Sequence, residues 1–436
     1  MKKTLAAILA LVLTLSLCSL AWATQPSVNV AKIGTTEYAT LQAAVNEVKN
    51  GETITLLRNV TDGDGVVVKT GQNIIFDFAG YTYTINGKLV GSSGSETNGF
   101  QLLKGSTVAM RNGTIIAGDN ATGVASNGLW NGSAAILIQN YAALTLDGMT
   151  LTGGNRTYYV LSNNNGETVI NDTVITAGNG GNKIAFDVYG NFGDYDDVKV
   201  TVKGNSIING DVEVDRDSKI PDTQNANTLV IVDGKFNDEL KVTKGTVSVS
   251  GGTFASSVRE YVVPALQYEV MTTVNEANNE YTYNYFTKYE DAVAYAESTV
   301  NKGTIDLTQG STNLQYVIEY ADGTGREVTL RVVAGQDFEL PTLTRTGYTF
   351  KGWKMNGSTE VYSAQQIKAW TGPLGDTNVL TAVWSANSYY YYPSTSTTDS
   401  TTGKASPKTF DAGVALYAGM ALASLTGLAY TGKKKF

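Results

Sequence analysis

The chain has 436 residues, 46 of them glycine and 25 tyrosine, and a formal net charge of -8 at pH 7. This length accommodates two or three folded units, and the composition is typical of turn-rich β structure. The negative charge argues against a nucleic-acid partner, and the absence of histidine excludes Ser-His and Cys-His nucleophiles and imidazole metal sites.

Residues 1–23 have the pattern of a secretory signal peptide. Two lysines precede a long apolar run, and residues 21–23 read Ala-Trp-Ala, the small-x-small pattern of a cleavage site. The single cysteine, Cys18, lies inside this segment, so the mature chain is predicted to have no disulfide. We therefore expect an exported protein.

The first predicted element after the signal is a short amphipathic helix at about residues 39–49. Leu41, Val45 and Val48 fall on one helical face, and Thr40 is placed to cap the start. A strand pattern follows. Because an open stack of strands exposes unpaired backbone groups and apolar surface at its end, we expect this helix to cover such an end.

Six short look-alike segments follow in the middle of the chain. Each is a run rich in β-branched residues that a turn residue closes, and one such unit cannot bury its apolar face alone. The segments are residues 107–113, 143–148, 167–172, 198–204, 228–234 and 245–251. Their uneven spacing predicts stacked coils that are joined by loops of variable length.

The helix, the stacked segments and the Gly-Gly-Thr-Phe sequence that ends at Phe254 together resemble right-handed parallel β-helix proteins of the pectate-lyase-like superfamily. The resemblance implies an all-β fold over residues 24–284, with the helix as the cap of the first coil. Residues 285–312 partly repeat the helix-then-strand pattern of the N-terminal segment. We interpret them as a degenerate cap or connector.

Residues 313–386 are predicted to form a separate small domain. Tyr348, Phe350 and Trp353 belong to a Gly-Tyr-x-Phe-x-Gly-Trp sequence, and the segment closes on Leu-Thr-Ala-x-Trp at Trp384. These rings supply enough apolar area for a small core. The segment resembles the internalin-type B-repeat, or Listeria-Bacteroides repeat, a β-grasp-like module, and the resemblance implies a spacer or weakly adhesive role.

The C-terminal part has the order of a sortase-type cell-wall sorting signal. A Ser/Thr-rich linker at residues 387–405 precedes residues 406–436, which contain a short motif, an uncharged span long enough to form a membrane helix, and a lysine-rich tail. The motif residues are Ser406, Pro407, Lys408 and Thr409. Ser406 and Phe410 depart from the usual motif, so we expect attachment either to the cell wall through Thr409 or to the membrane through the uncharged span.

The β-helix resemblance raises a lyase hypothesis, in which carboxylates hold Ca²⁺ and a basic residue removes a sugar proton. The candidates for these roles are Asp194, Asp197, Asp215 and Arg216. Alternating acidic residues around Asp215 are also the expected pattern of one exposed strand face. The sequence therefore favours a protein without catalysis, cofactor or metal, and Ca²⁺ enters only under the lyase alternative.

A second set of candidates is aromatic and is predicted to lie in glycine-rich loops. Exposed rings there can stack on sugars, and the alternative is that they pack against the wall of the stack. The residues are Trp130, Tyr158, Tyr159, Tyr189 and Tyr195. The expected function is that of an envelope-anchored adhesin or binding module for an extracellular glycan or a host or microbial surface protein. The alternative is a surface-displayed polysaccharide lyase or glycoside hydrolase.

Overall fold

The structure is a computed structural model that describes residues 29–387, apart from short internal gaps. The gaps are residues 182, 191–194, 220, 222, 223, 225, 299–302, 309–313, 334–336, 372, 373 and 376. The predicted signal peptide, nearly all of the predicted linker and the predicted sorting motif with its hydrophobic span lie outside the described residues. Asp194 also lies outside them.

The described chain begins with two short strands and a helix. β1 (Ala31–Ile33) pairs antiparallel with β2 (Thr36–Tyr38), and α1 (Leu41–Glu47) follows. The hydroxyl of Thr40 accepts a hydrogen bond from the backbone N–H of Ala43 at 3.1 Å, which confirms the predicted helix start. The buried side of α1 belongs to the same apolar core as the strands that follow.

The strands of the next region form most of the molecule. In chain order they are β3 (Thr53–Leu56), β4 (Val60–Gly63), β5 (Val66–Val68), β6 (Asn73–Asp77), β7 (Thr82–Ile85), β8 (Val90–Ser92), β9 (Ser95–Leu102), β10 (Thr107–Ala117), β11 (Thr122–Ala125), β12 (Gly128–Asn131), β13 (Ile136–Asn140), β14 (Ala143–Thr152), β15 (Tyr159–Asn163), β16 (Gly166–Asn171), β17 (Val174–Thr176), β18 (Ile184–Gly190), β19 (Val198–Lys203), β20 (Ile207–Asn209), β21 (Asp211–Arg216), β22 (Asn227–Ile231), β23 (Lys235–Phe236), β24 (Leu240–Val242), β25 (Thr246–Val249) and β26 (Thr253–Phe254).

Most of these strands stack in three parallel columns. The first column is β3, β6, the first part of β10 and of β14, β16, β19, β22 and β25. The second is β4, β7, the second part of β10 and of β14, β17, β20, β23 and β26. The third is β5, β9, β13, β15, β18, β21 and β24. The predicted all-β character with long parallel sheets is confirmed, and the arrangement is compatible with a β-helix-like fold.

The corner between the first and second columns requires a left-handed backbone. Asn112, Gly148, Asp172 and Gly204 occupy it in successive coils, with φ angles of 57°, 62°, 45° and 65°. Asn, Asp and Gly tolerate this conformation better than other residues. Gly148, Asp172 and Gly204 each close one of the predicted repeat segments. The segment at residues 107–113 closes on Gly113, which directly follows Asn112.

Rows of apolar side chains in register hold the stack together. The row in the first column is Met110, Leu146, Ile170, Val202, Ile231 and Val249, and each of these residues is 0% exposed. Burying one such side chain contributes roughly 1.5–3 kcal/mol. Each coil therefore gains its stability from the coils on either side of it.

The sheet continues beyond the stack in mixed order. β28 (Glu280–Phe286) pairs antiparallel with β26 and with β27 (Tyr268–Asn275), and β27 also pairs with β29 (Thr304–Leu307). A helix, α2 (Tyr289–Ser298), connects β28 with β29. Two single-turn 3₁₀ helices lie at Arg259–Tyr261 and Glu276–Asn278.

The last described elements extend this sheet. They are β30 (Leu314–Glu319), β31 (Glu327–Val332), β32 (Tyr348–Met355), α3 (Ala364–Lys368) and β33 (Thr377–Ala386). β29 pairs parallel with β31, and the order continues through β30 and β33 to β32. A second apolar core joins Tyr289 of α2 with Tyr316 and Trp353. This core therefore takes side chains from both the predicted connector at residues 285–312 and the predicted domain at residues 313–386. Within the described ranges, no helix is long and apolar enough to cross a membrane.

Candidate functional site

The outward side of the third column presents a row of polar side chains in register. Phe100 and Leu102 of β9 are fully buried, so the alternation of a strand places the residue between them on the outer side. The row that starts there is Gln101, Gln139, Ser162, Asp187, Glu213 and Lys241. Neighbouring members lie on adjacent strands, which are about 4.8 Å apart. We call these six residues the polar row.

Asp187 lies near the middle of the polar row and is only 6% exposed. Its Oδ2 accepts a hydrogen bond from Ser162 Oγ at 3.0 Å, and its Oδ1 accepts one from the backbone N–H of Asn163 at 2.6 Å. Burial raises the pKa of Asp187 to about 7, although these hydrogen bonds favour the charged form. The protonated form of this carboxyl group therefore persists to a higher pH than that of an exposed aspartate.

Glu213 is the neighbour of Asp187 on the next strand. Burial is the main cause that raises its pKa. The hydroxyl of Tyr159 donates to Glu213 Oε2 at 3.5 Å, and burial raises the pKa of Tyr159 to about 12. Because the two carboxylates occupy adjacent register positions, their side chains leave the sheet about 5 Å apart.

Tyrosine rings lie on both sides of these carboxylates. Tyr189 is opposite Asp215 on the neighbouring strand. Burial is the main cause that raises the pKa of Tyr189, and the charges of nearby carboxylates raise it further. Tyr195 stacks on Tyr141 with ring centroids 5.0 Å apart, and Tyr141 Oη accepts a hydrogen bond from Gln139 Nε2 at 3.3 Å. The structure thus brings three of the predicted aromatic residues, Tyr159, Tyr189 and Tyr195, to the polar row.

The other two predicted aromatic residues meet at a different place. Trp130 on β12 is 9% exposed, and its Nε1 donates to the carbonyl of Ser133 at 2.9 Å. The guanidinium carbon of Arg156 lies 3.8 Å from the centre of the Trp130 ring, and Tyr158 approaches the ring edge-on at 6.4 Å. A ligand at this place meets Tyr158, which is 39% exposed, because the tryptophan ring is already covered.

Two of the described lyase candidates, Asp197 and Arg216, make hydrogen bonds to backbone groups of Pro221, Gln224 and Ala226. Asp197 Oδ1 accepts from the backbone N–H of Ala226 at 2.7 Å. Arg216 Nη2 donates to the carbonyl of Pro221 at 2.7 Å and to that of Gln224. Asp215 and Arg216 are consecutive in β21, so their side chains leave it on opposite sides. The structure does not bring the three described residues together around one ligand position.

Sequence reasoning missed several members of the site, among them Gln101, Gln139, Ser162, Asp187 and Tyr141. A signal for Asp187 was present, because it is the only charged residue in the apolar run Ile184–Gly190. A charge at an alternate position in such a strand indicates the outer side of a sheet. The degree of burial is not visible in that pattern.

Four cavities lined by described residues lie away from the polar row. One of 160 Å³ is beside α1 and Tyr83, and one of 320 Å³ is beside Tyr268. One of 400 Å³ is next to Arg259, and one of 210 Å³ is next to α2. Neither Asp187 nor Glu213 lines any of these four. The polar row therefore lies on the outer side of the third column and lines none of these four cavities.

In the part of the chain that the structure describes, no three Asp, Glu or Cys residues are grouped so that they could hold a metal ion. Comparison with protein-family models, with curated proteins and with solved structures found no match for this chain.

Proposed function

We propose that this chain is an exported protein of the bacterial envelope, which binds an extracellular glycan and does not cleave it. The predicted signal peptide and the motif at residues 406–409 support the location. The three parallel columns and α1 support a right-handed parallel β-helix of the pectate-lyase-like type. The mixed sheet order of β30–β33 supports a B-repeat-like module at residues 313–386.

The polar row is the observation that carries the binding proposal. Gln139 and Glu213 are partly exposed and Lys241 is exposed, and their side chains supply the donors and acceptors that sugar hydroxyl groups need. Tyr159 and Tyr189 beside them present partly exposed rings for contact with the apolar faces of sugars. A glycan laid along the stack meets Glu213 and Lys241 on adjacent strands about 4.8 Å apart, and Gln139 three strands further along.

The hydrogen bonds of the lyase candidates support binding without catalysis. Asp197 and Arg216 use their polar atoms to hold backbone groups of one chain segment. Asp187 is almost completely buried, and each of its carboxyl oxygens already accepts a hydrogen bond. A group that reacts with a sugar has to reach the reacting atoms at hydrogen-bonding distance.

Retention of the full chain on immobilised polysaccharides tests the proposal. The panel contains neutral, uronic-acid and amino-sugar polymers, and we expect retention on at least one of them. Tyr189→Ala removes a ring beside the polar row and is expected to weaken binding about tenfold, a loss of about 1.4 kcal/mol. Tyr81→Ala is the matched control because Tyr81 is 37% exposed and does not belong to the tyrosines around the polar row. Retention on no polymer, or an equal loss in both variants, would reject the proposal.

The pair of Asp187 and Glu213 favours a second candidate, a retaining glycoside hydrolase. Such enzymes use two carboxyl groups about 5–5.5 Å apart, one as a general acid with a raised pKa and one as a nucleophile. The pKa of about 7 suits Asp187 for the role of general acid. Glu213 is partly exposed, which suits it for the role of nucleophile. This candidate predicts new reducing ends from a bound glycan, and loss of that release in Asp187→Asn and in Glu213→Gln. Release that persists in both variants excludes this pair.

A further inference from the structure

The chain contains ten asparagine residues that a glycine follows directly. An asparagine in such a pair can lose its side-chain nitrogen without an enzyme, because no Cβ atom hinders the glycine nitrogen from reaching the asparagine Cγ atom. All ten pairs lie within the residues that the structure describes, so their surroundings can be compared. The asparagines are Asn50, Asn86, Asn98, Asn112, Asn127, Asn131, Asn165, Asn179, Asn209 and Asn356.

Seven of these asparagine side chains are held by hydrogen bonds. Asn209 Nδ2 donates to Thr176 Oγ1 at 3.1 Å, and Asn209 Oδ1 accepts from Asn237 Nδ2 at 2.6 Å. The side chain of Asn356 likewise donates one hydrogen bond at 2.9 Å and accepts one at 2.8 Å. The other five are Asn50, Asn86, Asn98, Asn112 and Asn165. Such a side chain has to break its hydrogen bonds before it turns toward the following nitrogen.

Two further pairs are restrained through their glycine. In Asn131–Gly132 the glycine N–H donates to the carbonyl of Ala121 at 2.9 Å, so the attacking nitrogen is engaged. In Asn179–Gly180 the glycine is buried, and a Cβ atom placed on it would lie 2.5 Å from the carbonyl oxygen of Thr157. The backbone of this second pair is packed too closely to rearrange freely.

The remaining pair, Asn127–Gly128, lies at the tip of the β11–β12 hairpin. Residues 126–129 are all exposed, and the Asn127 side chain makes no hydrogen bond to the described residues. A Cβ atom placed on Gly128 would meet no atom within 4 Å, so open space surrounds the turn. The hairpin forms a two-stranded sheet of its own, and such a sheet is only marginally stable. Its tip is therefore expected to open locally, as the reaction requires.

We propose that Asn127 is a site of spontaneous deamidation. The backbone nitrogen of Gly128 loses its proton and attacks Asn127 Cγ, and the new C–N bond closes a five-membered succinimide ring. The former side-chain nitrogen takes up a proton and leaves as ammonia. Water then opens the ring at either carbonyl carbon, which yields aspartate or isoaspartate. The net change replaces an amide with a carboxylate and consumes only water.

The modification changes the hairpin tip in two ways. Both products add a negative charge, and isoaspartate also lengthens the main chain by one methylene group. Ala125 pairs with Gly128 at the end of the hairpin, and Val124 pairs with Leu129 next to them. The longer connection therefore disturbs this end of the ladder, where Leu129 is 83% exposed. The reaction is independent of glycan binding by the polar row, and the modified fraction increases with the age of the protein.

Peptide mapping by mass spectrometry after incubation of the full chain at pH 7 and pH 8.5 tests this proposal. Deamidation adds about 1 Da to a peptide, and fragmentation assigns the residue. We expect Asn127 to react roughly tenfold faster than Asn209 or Asn356, which first have to break two hydrogen bonds. The rate at Asn127 is expected to be higher at pH 8.5, because the attacking nitrogen has to lose its proton. Asn127→Gln is expected to remove the fast reaction, whereas Asn131→Gln in the same hairpin is expected to leave it unchanged.

The same mapping of the chain unfolded in guanidinium chloride separates the effect of the structure from that of the local sequence. There we expect Asn209 and Asn356 to react within about threefold of the rate at Asn127, because their hydrogen bonds are lost. A rate at Asn127 in the folded chain no higher than at Asn209 and Asn356 would overturn the proposal. An equal advantage of Asn127 in the unfolded chain would overturn its structural basis, and a rate independent of pH would contradict attack by the backbone nitrogen.

Discussion

Replacing Asp187 with asparagine isolates the energetic cost of burying its carboxyl group. Its pKa is about 7 in the folded protein, against 3.8 for an exposed aspartate. Because the folded-state pKa is raised, the unfavourable contribution is absent below about pH 4, grows as the pH rises from 4 to 7, and is complete above pH 7. A shift of one pKa unit corresponds to about 1.4 kcal/mol, so the cost reaches about 4 kcal/mol at high pH.

The asparagine side chain is able to keep the local hydrogen bonds. Its oxygen replaces the one that accepts from the Asn163 backbone, and its amide nitrogen donates to Ser162 Oγ. Ser162 Oγ remains free to donate to Asn164 Oδ1, which is 3.3 Å away. The variant therefore removes the buried charge with little change of shape. Its stability relative to the natural protein is expected to rise by about 2–3 kcal/mol between pH 5 and pH 8.

Urea unfolding of both proteins at pH 5, 6, 7 and 8 measures this difference. Glu47→Gln is the control, because it removes a carboxylate from an exposed position at the end of α1. A difference between Asp187→Asn and the natural protein that stays constant within about 0.5 kcal/mol over this range would refute the reasoning. It would mean that Asp187 is solvated in the folded protein.

Two further variants test the packing of the fold. Arg259→Met is expected to lower the free energy of unfolding by about 3–5 kcal/mol, because Arg259 lies 2.6 Å from Glu269 and 3.1 Å from Asp306, both of which are buried. Thermal unfolding against the exposed control Lys288→Met measures this loss, and an equal effect of both substitutions would contradict it. Gly113→Ala places a Cβ atom 2.2 Å from Phe78 Cβ and is expected to cost about 1–3 kcal/mol, whereas Gly181→Ala meets no atom within 4 Å. Equal melting temperatures of the two alanine variants would show that the first contact relaxes freely.

The stack could be predicted because its determinants are local. Val198, Val200 and Val202 alternate with more exposed residues, and this period of two is visible in the sequence before any partner strand is known. The corner residues Asp172 and Gly204 are recognisable for the same reason, since few residues adopt a left-handed backbone without strain. The six repeat segments accordingly contain strands of one column.

The site could not be predicted to the same depth, because its burial depends on contacts between distant parts of the chain. Tyr141 and Tyr195 stack although 53 intervening residues separate them, and this contact adjoins the polar row. Trp130 is covered by Arg156, which comes from a different connection of the stack. A sequence pattern shows which side of a strand a residue occupies, and it does not show which loop covers that side.

In the C-terminal part, too, local packing could be predicted from the sequence and a contact between distant segments could not. The aromatic pattern around Trp353 indicated a small apolar core, and Phe350 indeed contacts both Trp353 and Trp384 at ring distances of 5.1 and 5.4 Å. The participation of Tyr289 in this core follows from the parallel pairing of β29 with β31. Pairing between strands that are not joined by a short turn has no local signature in the sequence.

The most direct measurement is the molar mass of a retained polysaccharide during incubation with the full chain, followed by size-exclusion chromatography with light scattering. Binding by the polar row without cleavage predicts that the polymer elutes together with the protein and that its molar mass stays constant over time. At the same concentrations, a smaller share of the polymer is expected to elute together with the Tyr189→Ala variant. A falling molar mass that becomes constant in Asp187→Asn would contradict binding without catalysis and would identify a hydrolase instead.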